Sequence, residues 1–183
     1  MQNTKKDIRP LILCSIFAAL TAVCSQILIP LPMVSINLAL FAVHLAAAIL
    51  GAKYGGLSML VYVLLGLVGA PVFTGFTGGV GILFGKTGGY ILGYILSAFI
   101  TGFLCRKLGR SFGRMCAAMA IGVIVCYAFG TAWFMLVTGT PFLASLVYCV
   151  FPFLPGDAAK ILLAAFLAGR LYPVCVRNRW ISA

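Results

Sequence analysis

Acidic residues are nearly missing from this chain of 183 residues: Asp7 and Asp157 stand alone against thirteen lysines and arginines. Charged residues make up 8% of the sequence, where a soluble domain carries roughly a quarter. A charged, solvated surface therefore cannot be built. Charge is absent altogether from residues 10–52, 54–85, 87–105 and 115–156. Uncharged runs of this length exclude a water-soluble fold and read as membrane spans.

Other absences narrow the chemistry. There is no HExxH and no second acid to pair with Asp157 within the apolar body, so an intramembrane hydrolase lacks its activated nucleophile and base. The chain reads as a non-enzyme. His44 is the lone histidine and has no carboxylate at ligand spacing, which argues against a metal site. The seven cysteines form no CxxC pair, and six lie in or beside apolar runs, as small packing residues do.

The net charge of +11 would suit nucleic acid were it spread as a stripe among exposed aromatics. It is not. Lys5, Lys6, Arg9, Lys53, Arg106, Lys107, Arg110, Arg114, Arg170, Arg177 and Arg179 sit at the ends of apolar segments, where the positive-inside rule places cytoplasmic charge. The apolar run after Arg9 reaches Ile29 without an A-x-A site, so it reads as a first span and not as a signal peptide.

Breakers and charges divide the chain into six expected helices spanning about 11–29, 36–51, 55–68, 88–105, 115–137 and 157–172. They form a single all-α membrane domain over 1–183. The 42-residue uncharged run 115–156 would be about 63 Å long as one helix, at 1.5 Å per residue. A bilayer core is roughly 30 Å, so the run must break, and Thr138-Gly-Thr-Pro141 is where. Residues 142–154 stay ambiguous, helical or not. With both termini cytoplasmic, the linkers 30–35, 69–87 and 138–156 fall outside and carry Lys86 as their one basic residue.

Three features of the outer face carry the functional reading. Asp157, with Lys160 three residues on, is an acid–base pair on one helical face. An acid at membrane depth faces a partner or a cavity. Pro155-Gly156-Asp157 also has the form of a helix N-cap, but a cap does not account for Lys160. The Gly-rich segment from Thr74 to Gly89 includes Thr77, Gly78, Gly79 and Gly81 and reads either as a backbone cradle or as a plain external turn. Its Gly85-Lys86-Thr87 lacks the first glycine of a P-loop. Gln26, Ser35 and Asn37 offer polar contacts. Phe73, Phe76, Phe84, Tyr90, Tyr94 and Trp133 offer an apolar wall. On the first span, Ala18 and Ala22 make a small-xxx-small face for helix packing, inside the bundle or against a partner.

Taken together, Gly69-Ala-Pro-Val-Phe73 through Gly78-Gly-Val-Gly81 to Thr87-Gly-Gly-Tyr90, and Phe-Pro-Phe-Leu-Pro-Gly-Asp-Ala-Ala-Lys160, resemble the BioY family. Pro32 with Ser35-Ile36-Asn37, and Ala18-xxx-Ala22, match its layout too. The resemblance implies a six-helix S component of an energy-coupling-factor (ECF) transporter, multi-pass in the prokaryotic cytoplasmic membrane, with an outward-facing biotin pocket. It implies Asp157 and Lys160 as ligand contacts, with Phe73, Thr77, Gly78, Gly79, Gly81, Tyr90, Asn37 and Lys86 around them. Biotin is then the transported ligand, not a cofactor. The implied partners are a transmembrane coupling subunit, docked on Ala18 and Ala22, and two cytoplasmic ATPases. Two positions depart from the family: Lys86 stands where proline is common, and Asn37 where glutamine is. The alternatives are an S component for another small vitamin-like substrate, or a membrane enzyme.

Overall fold

The computed structural model describes residues 8–30 and 34–181; Lys5, Lys6 and Pro32, used above, lie outside them. The described chain is almost wholly helical. α1 (Arg9–Gln26) opens with Pro10 in its first turn, where the missing N–H costs no bond. A two-residue hairpin, β1 (Leu28–Ile29) with β2 (Ile36–Asn37), pairs Leu28 with Asn37 and leads to α2 (Ala39–Leu67). The short α3 (Val80–Leu83) lies within the Gly-rich segment. α4 (Gly88–Leu108), α5 (Phe112–Thr138), the short α6 (Phe142–Cys149) and α7 (Leu154–Arg177) complete the chain.

Five of these helices are long and apolar enough to cross a membrane. One of them reverses. Within α2, Gly51 takes φ +77° and ψ −176°, a conformation that side chains disfavour. Gly55 then packs back onto Ala47, so closely that a Cβ at Gly55 would lie 2.9 Å from the Ala47 Cα. Both ends of α2 also meet the same end of α1: Leu38 N–H donates to Cys24 O, and Tyr62 OH donates to Ser25 Oγ. The helix is thus a hairpin with arms 39–50 and 52–67, divided where the charge pattern separated two expected spans. Every residue of the first arm is buried. At twelve residues it reaches only about 18 Å and forms the centre of the bundle, with α1, α4 and α7 packed against α2.

The outer surfaces of the long helices are apolar, with Ile12, Ile16, Val23, Phe99, Phe103, Ile124 and Phe166 all more than half exposed. Such a surface suits lipid and not water. The described basic residues at helix ends gather at one end of the bundle. There, Arg9 Nη1 donates to Arg179 O, and Arg110 donates to Ala48 O while stacking 3.6 Å over the Tyr172 ring.

Two local expectations are corrected and one open segment is settled. α7 begins at Leu154, with Phe153 at its N-cap, so Asp157 is not the cap; its own N–H donates to Phe153 O. Lys160 consequently sits in the second turn and does not oppose the dipole of the first. The helix also passes through Pro173 to Arg177. Proline removes one backbone bond, and so near the end of the helix little more is lost, while the following turn buries Cys175. Finally, residues 142–149 are helical, resolving the ambiguity there.

Candidate functional site

At the end of the bundle opposite the basic cluster, the three linkers converge. Ser25 and Gln26, at the end of α1, hold the segment after α2. Ser25 Oγ donates to Val72 O, and Gln26 Nε2 donates to Val72 O and Phe73 O. Phe76 N–H donates in return to Gln26 Oε1. Asn37 Nδ2 donates to Thr74 Oγ1 at 2.7 Å, while Asn37 Oδ1 accepts the Ala39 N–H. Phe73 and Thr77 exchange backbone bonds, and the buried Phe73 ring lies edge-on to Tyr62 at 5.6 Å. The Gly-rich segment is therefore tied to the bundle at several points and is more than a plain external turn. Val34, Phe134 and Cys149 pack beside it as a small second core.

Beneath these segments lies a cavity of about 280 Å³, near the lower bound of small-molecule sites. Its roof comes from the linkers, through Val34, Ser35, Phe73, Thr74, Thr77, Cys149 and Phe153. Its walls are Leu40, Tyr90, Ile91, Tyr94, Cys126 and Tyr127, and its charged groups are Asp157 and Lys160.

The acid–base pair is closed on itself and buried. Lys160 Nζ donates to Asp157 Oδ1 at 2.7 Å, and the two residues are 8% and 3% exposed. The second carboxylate oxygen, Oδ2, accepts from the Tyr127 hydroxyl on α5. Asp157 is the one acid among the described residues. Removing one member of such a pair strands the other charge, at a cost of about 3–5 kcal/mol. The site is neutral in sum, yet Lys160 keeps two further N–H donors and each carboxylate oxygen keeps a lone pair. Such a pair can both accept from and donate to one compact polar group, while the aromatic walls bury an apolar body.

Of the residues expected at the site, Asp157, Lys160, Asn37, Phe73, Thr77 and Tyr90 line the cavity together. Gly78, Gly79, Gly81 and Lys86 are not among its lining, and Lys86 is exposed. Of the aromatic wall, Phe73, Tyr90 and Tyr94 are in place. Phe76 and Phe84 instead point outward at 72% and 68% exposed, and Trp133 donates to Gly85 O. Ala18 is 1% exposed, within the core, and Ala22 packs half-buried against it. Tyr127 escaped the sequence reading. It stands among the uncharged residues of α5, and nothing local marks it as the tyrosine that meets Asp157.

The BioY family model matches residues 1–177. This chain belongs to the BioY family. It is 38% identical over 159 residues to a protein of Pyrococcus horikoshii named a probable biotin transporter BioY, covering 87% of this chain and 93% of that one. A biotin transporter BioY of Rhizobium etli is 34% identical over 87% of this chain and 90% of its own length. A third, from Thermotoga maritima, reaches 51% identity over 45% of this chain and 49% of that one. Among solved structures, the chain resembles the S-component for biotin from an ECF-type ABC transporter. The TM-score is 0.84 at 29% identity, over 93% of this chain and 94% of that one.

Proposed function

We propose that the chain is the biotin-binding S component of an ECF-type importer in a prokaryotic cytoplasmic membrane. It would capture biotin on the outer face and depend on a transmembrane coupling subunit and two cytoplasmic ATPases for uptake. The observation that carries this reading is the Asp157–Lys160 pair, turned into an aromatic-walled cavity beneath three linkers. Family membership and the likeness to a biotin S component support it. The named relatives are transporters, in accord with a chain that is not an enzyme.

The orientation follows from charge. The end that carries Arg9, Lys53, Arg106, Lys107, Arg110 and Arg114 faces the cytoplasm by the positive-inside rule, which puts the cavity outside. Six crossings follow if each arm of α2 counts as one.

In the proposed pose, the ureido ring of biotin meets the charged pair. Its N–H groups donate to the Asp157 carboxylate, and its carbonyl accepts from Lys160. The tail carboxylate then reaches the backbone of the Gly-rich segment. Radiolabelled biotin binding to the purified chain tests the function. Saturable binding competed by unlabelled biotin is expected, and no detectable binding would overturn the proposal.

A further inference from the structure

Directly beneath the cavity lies a second polar layer that ligand contact does not account for. Leu40, Tyr94 and Cys126 line the cavity on α2, α4 and α5. One helical turn deeper on those same helices stand His44, Ser97 and Gly122, with Thr101 one turn further along α4. All three polar side chains are fully buried, at 0% exposed. His44 Nδ1 shares a 3.3 Å hydrogen bond with Thr101 Oγ1. His44 Nε2 and Ser97 Oγ have no hydrogen-bond partner among the described residues.

These atoms meet at one place. A Cβ added at Gly122 would lie 2.2 Å from Thr101 Oγ1, 3.1 Å from the His44 Cε1 beside Nε2, and 3.1 Å from Ser97 Oγ. Glycine is thus required there, and three polar groups from two helices face the bare backbone of a third. A buried hydroxyl or imidazole nitrogen without a partner keeps the whole cost of leaving water uncompensated. Whichever tautomer His44 adopts, Nε2 still needs a donor or an acceptor. Two such atoms converging on one spot is the pattern met by an ordered internal water, which takes two to four polar partners.

We propose that His44 Nε2 and Ser97 Oγ, with Thr101 beside them, form a water-binding site that joins α2 to α4, against the bare backbone of α5, one turn below the cavity. One water accepts from or donates to each atom and ties the two helices at mid-bundle. This site does not depend on which molecule occupies the cavity above.

A double-mutant cycle on the purified full-length chain in detergent tests it, read as thermal unfolding. Ser97→Ala and His44→Leu should each lower the midpoint by about 2–6 °C. The double variant should fall no further than the worse single one, because either change already breaks the shared bridge. Additive shifts, or a Ser97→Ala midpoint at or above that of the unaltered chain, would overturn the proposal. If His44→Leu does not fold, electron density for the unaltered chain at water-resolving resolution decides. A solvent peak within about 3.2 Å of both atoms supports the site. A Ser97 hydroxyl turned onto its own helix carbonyl, with no such peak, rejects it.

Discussion

The Tyr127 hydroxyl on α5 donates to Oδ2 of Asp157 on α7, while Lys160 takes Oδ1. Each oxygen of the carboxylate is therefore held by a different helix, and its plane is set before any ligand arrives. Tyr127→Phe keeps the ring and removes only this donor. A hydrogen bond to a charged group contributes about 1.5–3 kcal/mol, and part of that is recovered by the carboxylate from other donors. Biotin affinity measured by titration calorimetry should fall about tenfold. An unchanged dissociation constant would show that the hydroxyl plays no part in presenting Asp157.

Asp157→Asn separates the two poses of the ligand. In the proposed pose it replaces an acceptor of ureido N–H groups by an amide that presents one acceptor, and it leaves Lys160 buried without its counter-charge. Loss of one partner from a buried pair costs about 2–5 kcal/mol, so affinity should drop by about thirtyfold or more. Wild-type affinity in this variant would reject the pose and place Lys160 on the tail carboxylate instead.

Lys86 is exposed and does not line the cavity, although the sequence presents it as a cation in the Gly-rich segment. Lys86→Ala should leave biotin affinity within about twofold, as expected for a screened surface charge. A drop of tenfold or more in equilibrium binding would show that the side chain folds over the site when ligand is bound.

Gln26 acts through the roof. Its amide accepts from Phe76 N–H and donates to two carbonyls of the same segment. Gln26→Leu keeps the bulk and removes all three bonds, leaving backbone groups of residues 72–76 to find water. Faster backbone amide hydrogen exchange over residues 72–77 is expected, with a biotin off-rate raised several-fold. Exchange identical to that of the unaltered chain would show that the other tethers, from Ser25 and Asn37, hold the roof without it.

The membrane class, the helix content and the Asp157–Lys160 pair were legible in the sequence because each rests on local information. A long uncharged run needs no tertiary partner to be recognised, and residues three apart share a helix face in any helix. The same locality explains the errors. The start of α7 was placed too late because Asp after Pro-Gly has the form of a cap, whereas Leu154 and Pro155 already occupy the first turn.

Asp157 was an isolated acid beside a base in the sequence, and that much the sequence determined by itself: a charged residue in an apolar span needs a partner, and Lys160 is in reach. Only the tertiary structure decided the rest. It brought Tyr127 from 30 residues away to the second carboxylate oxygen. It closed three linkers over the pair and set His44 and Ser97 one turn below, with Thr101 a turn further. Contacts between helices depend on how each one is rotated and tilted against its neighbours, and that is settled by the packing of the whole bundle.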